Sequence, residues 1–277
     1  MREMNLDGSR KLSAGKLPTA SFTRTDLVDL TLGSSSKGNQ KKYCTIDGRF
    51  FVKERFNYDG RGWRDDLVEV VASIYASRCI LPTGLRVVKQ GLCDVDGRPA
   101  SYSESFSRPG FEFISYRRMR GMLRGSTETL LGTGEEIAEQ IIAECSQIPG
   151  YDARDLICAM FFLDCIVCNE DRHLDNFGFL CGVDGSVEFC TLFDFGLGMF
   201  ERGSEYDSSK ESMCIPNVRL KPCWFTQQQL VDYLLDSNSA VLGMIPKQAF
   251  LQEFKFPSEL AKSYFIWANE RFGVKIV

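Results

Sequence analysis

The chain has a single histidine, His173, among 277 residues. That scarcity excludes histidine-rich metal sites, and most hydrolase triads built on an imidazole base, unless His173 is itself the member. Long apolar runs are missing too. The richest apolar window, Leu156 to Cys168, is interrupted by Asp164 and is shorter than the roughly 20 residues that a membrane helix needs. The start, Met1-Arg2-Glu3-Met4-Asn5-Leu6-Asp7, has no apolar stretch of signal-peptide length. A soluble, cytoplasmic protein without a membrane span is expected, and a secreted effector is the reading left open.

A basic surplus is also lacking. A net charge of -4 and a pI near 5.3 exclude a broad nucleic-acid-binding face, which needs concentrated Lys and Arg. Arg117, Arg118, Arg120 and Arg124 form at most a local patch, read as a solvated helix face. The eleven cysteines are odd in number and scattered through apolar segments, as reduced thiols are. Cys165 and Cys168 make a C-x-x-C, but inside an apolar helical run, where positions i and i+3 share a buried face, and no second pair stands nearby. Zinc and redox chemistry are not expected from them.

What is present is enough apolar residue (44%) and charge (25%) to bury a substantial core in one large or two modest lobes. The most informative segment is Asn169-Glu170-Asp171-Arg172-His173-Leu174-Asp175-Asn176, followed by Asp194-Phe195-Gly196. Phosphoryl transfer needs a carboxylate near the attacking hydroxyl and oxygen ligands that hold Mg²⁺ against the phosphates. Asp171 precedes Asn176 by five positions, the spacing of base and metal-binding residue in the protein-kinase loop H-R-D-x-x-x-x-N. Asp194 ends the short apolar strand Phe189 to Phe193. A polar turn capping a buried helix is the plain alternative for either half.

Upstream, Gly33, Ser34, Ser35, Ser36 and Gly38 form a small-residue loop between β-prone segments. The Lys-Ser/Thr of a Walker A site is replaced by Asn39-Gln40, which rejects that site and leaves open a different phosphate-covering loop or a plain linker. Residues 42–46 and 49–53 around Asp47-Gly48 read as a β-hairpin, with Lys53 on its second strand. Arg64 to Cys79 is helical in pattern, with Asp65 and Asp66 in the first turn. Glu69 is its one acid beyond that turn. It either pairs with Lys53 or faces solvent. Strands are expected around 86–89 and 100–106. In the second, the backbone of Glu104 and Phe106 would meet an adenine edge. Helices are expected to about Gln147, across a boundary at Pro149-Gly150, and from Asp152 to Cys168. Met199 to Asn217, rich in Ser and charge, suits a mobile activation or substrate segment.

This order of loop, strand lysine, helix glutamate, buried helix, D-R-H-x-x-N and D-F-G resembles the HipA-type serine/threonine kinases, over roughly residues 30 to 240. The matches are Asp164, Ile166, Asn169, Asp171, His173, Asn176 and Asp194, with Ser103-Glu104-Ser105-Phe106 similar to the family's hinge. The literal D-R-H-x-x-N and D-F-G are also similar to those of phosphoinositide kinases. The resemblance implies an α+β, two-lobed protein-kinase-like fold, with a β-rich lobe over 1–106 and a larger helical lobe over 107–277. It implies ATP and Mg²⁺ as cofactors and a protein substrate with a Ser or Thr acceptor. Asp171 would orient the acceptor hydroxyl, Asn176 and Asp194 would hold Mg²⁺, Lys53 would contact the ATP phosphates, and His173 would buttress the loop. Phosphorylation of Ser34 to Ser36 by the chain itself would place charge where ATP enters. Typical members carry a further N-terminal subdomain, so an antitoxin-like partner stays open without support, and toxin, effector and housekeeping roles are not distinguished. A lipid kinase and a catalytically silent nucleotide-binding or partner-binding module are the competing functions.

Overall fold

The computed structural model describes residues 17, 19–30, 40–58, 61–62, 64–125, 130–148, 153–199, 219–237 and 239–277. The glycine-serine loop, Gly33 to Gly38, and residues 200–218 of the Ser-rich segment lie outside the described residues.

A six-stranded sheet comes first. It contains β1 (Thr19–Phe22), β2 (Leu27–Asp29), β3 (Lys42–Thr45) and β4 (Phe50–Glu54). After a small pair, β5 (Asn57–Tyr58) and β6 (Arg61–Gly62), it is completed by β7 (Gln90–Val95) and β8 (Arg98–Glu104). The strand order is β1-β7-β8-β4-β3-β2, with β1 parallel to β7 and the other neighbours antiparallel. Strand residues alternate between faces. On β3 and β4 the buried residues Tyr43, Phe50 and Val52 join Phe22, Val95 and Ala100 in a small core of their own. Phe51 and Lys53 therefore point to the other face, toward the helical part of the molecule.

Helix α1 (Asp65–Ala76) packs on this sheet. Its two leading acids favour the positive end of the helix and also tie it to the end of β4. Arg55 makes a two-pronged contact with Asp66 at 2.7 and 3.0 Å, and Phe56 N donates to Asp65 at 3.0 Å. Nearly every residue of α1 is buried, because its far side meets the helical lobe: Tyr75 donates to Asn269 at 2.7 Å, a fully buried contact.

The second layer holds β9 (Phe111–Ser115), α2 (Tyr116–Arg124), α3 (Gly134–Cys145) and α4 (Ala153–Ile166). Strands β10 (Gly178–Gly182) and β11 (Val187–Phe189) complete a three-stranded sheet, β11-β10-β9. Among the described residues three more helices close the lobe: α5 (Gln227–Ser237), α6 (Ser239–Met244) and α7 (Glu259–Arg271). Helix α4 is its centre, touched by α3, α5, α6 and α7 and buried along almost its whole length. The arginines of α2 are paired with acids: Arg117 with Asp175, Arg118 with Glu112, and Arg120 and Arg124 with the fully buried Glu144. The molecule is thus a small β-rich lobe on a larger, mostly helical one.

Three expected elements shifted. The strand expected over Phe189 to Phe193 is β11, Val187–Phe189, followed only by a bridge at Leu192. The segment around Arg86 to Lys89 makes an isolated bridge, Val87 to Leu192, instead of a strand; the strand proper begins at Gln90. Leu192 takes the hydrogen bonds that a sheet neighbour would: Val88 N donates to its carbonyl and its own N–H donates to Arg86. The next strand ends at Glu104 and not at Phe106.

Candidate functional site

The site starts from the Asp47-Gly48 turn, where Gly48 takes the left-handed conformation (φ 71°) that favours glycine. The turn sets a register in which Lys42 faces Lys53 and Cys44 faces Phe51. Lys53 Nζ donates to Glu69 Oε1 at 2.8 Å and to Asp194 Oδ1 at 2.7 Å. Glu69 is 2% exposed, which settles its orientation against solvent. Its second oxygen accepts from Gln90 Nε2 at 2.9 Å and from Phe195 N at 3.0 Å. One carboxylate therefore links the strand lysine, strand β7 and the Asp194-Phe195-Gly196 turn.

Burial alone pushes the Asp194 carboxyl up, but the ammonium of Lys53, bonded to it, holds it well below the usual carboxylate range, with Lys42 and Arg172 adding to the pull. Lys53 is shifted the other way: burial disfavours its charge, and Asp194 and Glu69 more than offset this, so its pKa is raised. Asp194 has φ 60°, a left-handed conformation that Asp tolerates, in irregular backbone just beyond the Leu192 bridge.

The second half of the site is the loop after α4. Asn169 N donates to the Asp164 carbonyl at 2.8 Å and Asn169 Nδ2 to the Asp164 carboxylate at 2.8 Å, closing the helix end. Arg172, fully buried, makes a salt bridge to Asp164 at 2.8 Å. It also donates to the Asn176 carbonyl at 3.0 Å and the Phe193 carbonyl at 2.6 Å, and stacks over the Phe195 ring at 4.6 Å. One guanidinium thus brings Asn176 and the residue before Asp194 onto the same point. Asn176 Nδ2 donates back to the Asp171 carbonyl at 3.3 Å.

Asp171 Oδ1 accepts from Lys221 Nζ at 2.5 Å. His173 is half-exposed, and its Nδ1 accepts from Asp175 N at 3.2 Å. Asp175 in turn holds Arg117 at 2.8 Å and Ser115 at 3.1 Å, which pins the loop to the start of α2.

A cavity of about 270 Å³ opens between the sheet and the helical lobe. Leu30, Phe51, Phe106 and Phe193 give it an apolar wall, and Lys42, Lys53, Glu69 and Asp194 form its charged end. Phe106 stacks on Phe193 at 5.1 Å. Asp171, His173 and Asn176 are not part of the lining. Nor is Glu104: its N–H donates to the Lys89 carbonyl, its carboxylate meets Lys89 at 3.7 Å, and Ser105 N is taken by Arg49. The sheet has already used the backbone donors there.

The residues present suit a magnesium nucleotide. Lys53 and the hard oxygens of Asp194 stand at the charged end, and an apolar wall can take a base. Asn176, the other expected oxygen ligand, lies outside the lining and is held to the Asp194 turn through Arg172. Among the described residues no three His, Cys, Asp or Glu side chains gather as a protein-built metal site. A cation bound to two protein oxygens, with phosphate and water for the rest, is the habit of Mg²⁺. Cys165 and Cys168 are buried thiols whose pKa burial raises; Cys165 Sγ meets Gln227 at 3.1 Å.

Sequence reasoning missed Lys42, Gln90, Arg172 and Lys221. For Lys42 a signal existed, since the register set by Asp47-Gly48 places it across from Lys53. Arg172 stands inside the D-R-H-x-x-N run, though its burial is seen only in the packed structure. For Gln90 and Lys221 there was none, because each joins the site through a contact distant in sequence.

Among solved structures, the Helicobacter pylori proinflammatory kinase CtkA aligns with a TM-score of 0.56 at 14% identity, covering 92% of this chain and 95% of that one. The fold is kinase-like. HipA of Shewanella oneidensis MR-1, solved with HipB and its operator DNA, gives a TM-score of 0.39 at 12% identity over 90% of this chain and 62% of its own. No family model and no curated protein matches the chain. Among the described residues no helix is long and apolar enough to cross a membrane.

Proposed function

We propose that the chain is an ATP-dependent kinase that transfers a phosphoryl group to a Ser or Thr hydroxyl of a protein, as a relative of the HipA-type kinases. The observation that carries this reading is the double contact of Lys53, to a buried helix glutamate and to the Asp of Asp194-Phe195-Gly196, at the charged end of a cleft with an aromatic wall. A strand lysine paired with a helix glutamate is what kinases use to place nucleotide phosphates. The lobes would meet near residues 106 and 107.

In this reading Lys53 turns from Asp194 toward phosphate oxygens, while Glu69 keeps its ammonium in place. Asp194 and Asn176 would hold Mg²⁺, which would neutralise charge on the phosphate chain. Asp171 orients the acceptor hydroxyl and takes its proton, and the hydroxyl displaces or shares the Lys221 contact. Arg172 keeps both loops in register without touching substrate, and His173 braces the loop through Asp175. Kinase activity in the named Helicobacter protein, whose fold this chain shares, supports the class of reaction. Nothing in the geometry favours a lipid acceptor, and the complete set of Lys53, Asp171, Asn176 and Asp194 speaks against a silent module.

The test is ATP turnover, with intact-protein mass, for the wild type, Asp194→Asn and Asp171→Ala, against a panel of protein and lipid acceptors. Asp171→Ala should lose about 10²–10⁴ in turnover, the usual worth of a positioned base, while ATP affinity stays within about twofold. Unchanged turnover in both variants would remove these residues from the reaction. Label on lipid alone would replace the acceptor class.

A further inference from the structure

Lys42 belongs to no motif and has no role in the reaction described above. It stands directly opposite Lys53 in the β3–β4 register, and such pairs project to one face of the sheet. Both side chains line the cavity at its charged end. Like charges placed directly opposite each other destabilise a sheet, and Glu69 and Asp194 stand at the same end of the cavity as the two lysines. Glu69 and Asp194 each bond Lys53, and the second oxygen of Glu69 accepts from Gln90 and Phe195. Burial and the neighbouring Lys53 both pull the pKa of Lys42 down, with Asp194 and Glu69 opposing them.

We infer that Lys42 is a second phosphate-binding lysine of the cleft, contacting the phosphate chain of a nucleoside triphosphate from the strand beside Lys53. The charges support this. Two ammonium groups and two carboxylates cancel, and a divalent cation held by Asp194 leaves two positive charges facing the polyanion. Without Lys42 that excess is halved. The inference rests on the nucleotide-binding reading of this cleft and adds to it a determinant of phosphate number.

Calorimetric titration of the full chain with ATP, ADP, AMP and adenosine, in the presence of Mg²⁺, tests it in the wild type, Lys42→Gln and Lys42→Arg. Lys42→Gln should weaken ATP by about tenfold to a hundredfold, the worth of a charge-assisted hydrogen bond. AMP and adenosine should stay within about twofold, and Lys42→Arg should keep ATP binding within about threefold, because the charge remains. Equal ATP affinity in the wild type and Lys42→Gln overturns the role of Lys42 alone. An equal loss for all four ligands does the same, since it marks a general disturbance of the hairpin. Failure of the wild type to bind any of the four overturns the nucleotide site itself.

Discussion

Arg172 shows how much one residue can organise. A buried guanidinium loses its hydration, and only a full set of acceptors offsets that cost; here Asp164 and two backbone carbonyls provide it. Arg172→Met should therefore leave the Asp164 carboxylate buried without its counter-ion, bonded only by Asn169, and cost about 3–5 kcal/mol in a urea titration. A loss under about 1 kcal/mol would show that the loop does not depend on this bridge. Asp65 makes a prediction with a sign. Burial raises its carboxyl to about 6, against the pull of Lys53 and the Phe56 amide. A carboxylate raised on folding weakens the native state once ionised. The penalty is absent below its unfolded pKa, grows as the pH rises, and is complete above about pH 6. Asp65→Asn removes it. The stability of the variant minus that of the wild type should increase by about 1 kcal/mol between pH 5 and pH 7.5, on top of any constant offset. A difference that stays flat across that range refutes the assignment.

At the scale of elements, the loop bearing Asp171 is anchored at its C-terminal end. Tyr116 N donates to Phe177 and Arg117 N to Leu174, so the loop is stitched to the junction of β9 and α2. Gly178 makes this close approach possible: a Cβ there would lie 2.2 Å from the Ile114 carbonyl oxygen and 2.8 Å from Ser115 Cα, both backbone atoms. Gly178→Ala should force β9 and β10 apart, cost about 2–3 kcal/mol, and reduce turnover with it. A variant with the wild-type urea midpoint would mean the strands can separate freely. Helix α1 is a second coupling element. Its buried Glu69 faces Lys53, and Tyr75, at the other end, bonds Asn269 of α7. A glutamate so placed moves only with the body of the helix. The hairpin, α1, α3 and α4 were all legible in the sequence, because turn chemistry, end acids and apolar periodicity act over a few residues. The strand after α1 was misplaced because its partner at Leu192 lies about a hundred residues away.

For the whole molecule, the cleft lies between a sheet with its own small core and a helical lobe with the large one. A ligand that joins them should stabilise both. Mg-ATP at a hundred times its dissociation constant adds about 2.7 kcal/mol, which for a chain of this size raises the thermal midpoint by roughly 5–10 °C. The magnesium-dependent part should vanish in Asp194→Asn. No shift in the wild type, read by calorimetric melting, would count against nucleotide binding in this cleft.

The sequence by itself determined the local pieces: a hairpin with Lys53, a helix with Glu69, and a loop with Asp171 and Asn176 five positions apart. Each is set by contacts between near neighbours along the chain. Only the tertiary structure decided that Glu69 is buried against Lys53 and not solvated, that Lys221 meets Asp171, and that the amide of Glu104 is spent inside the protein. Those outcomes depend on which distant surfaces exclude water together, and short-range pattern carries no record of that.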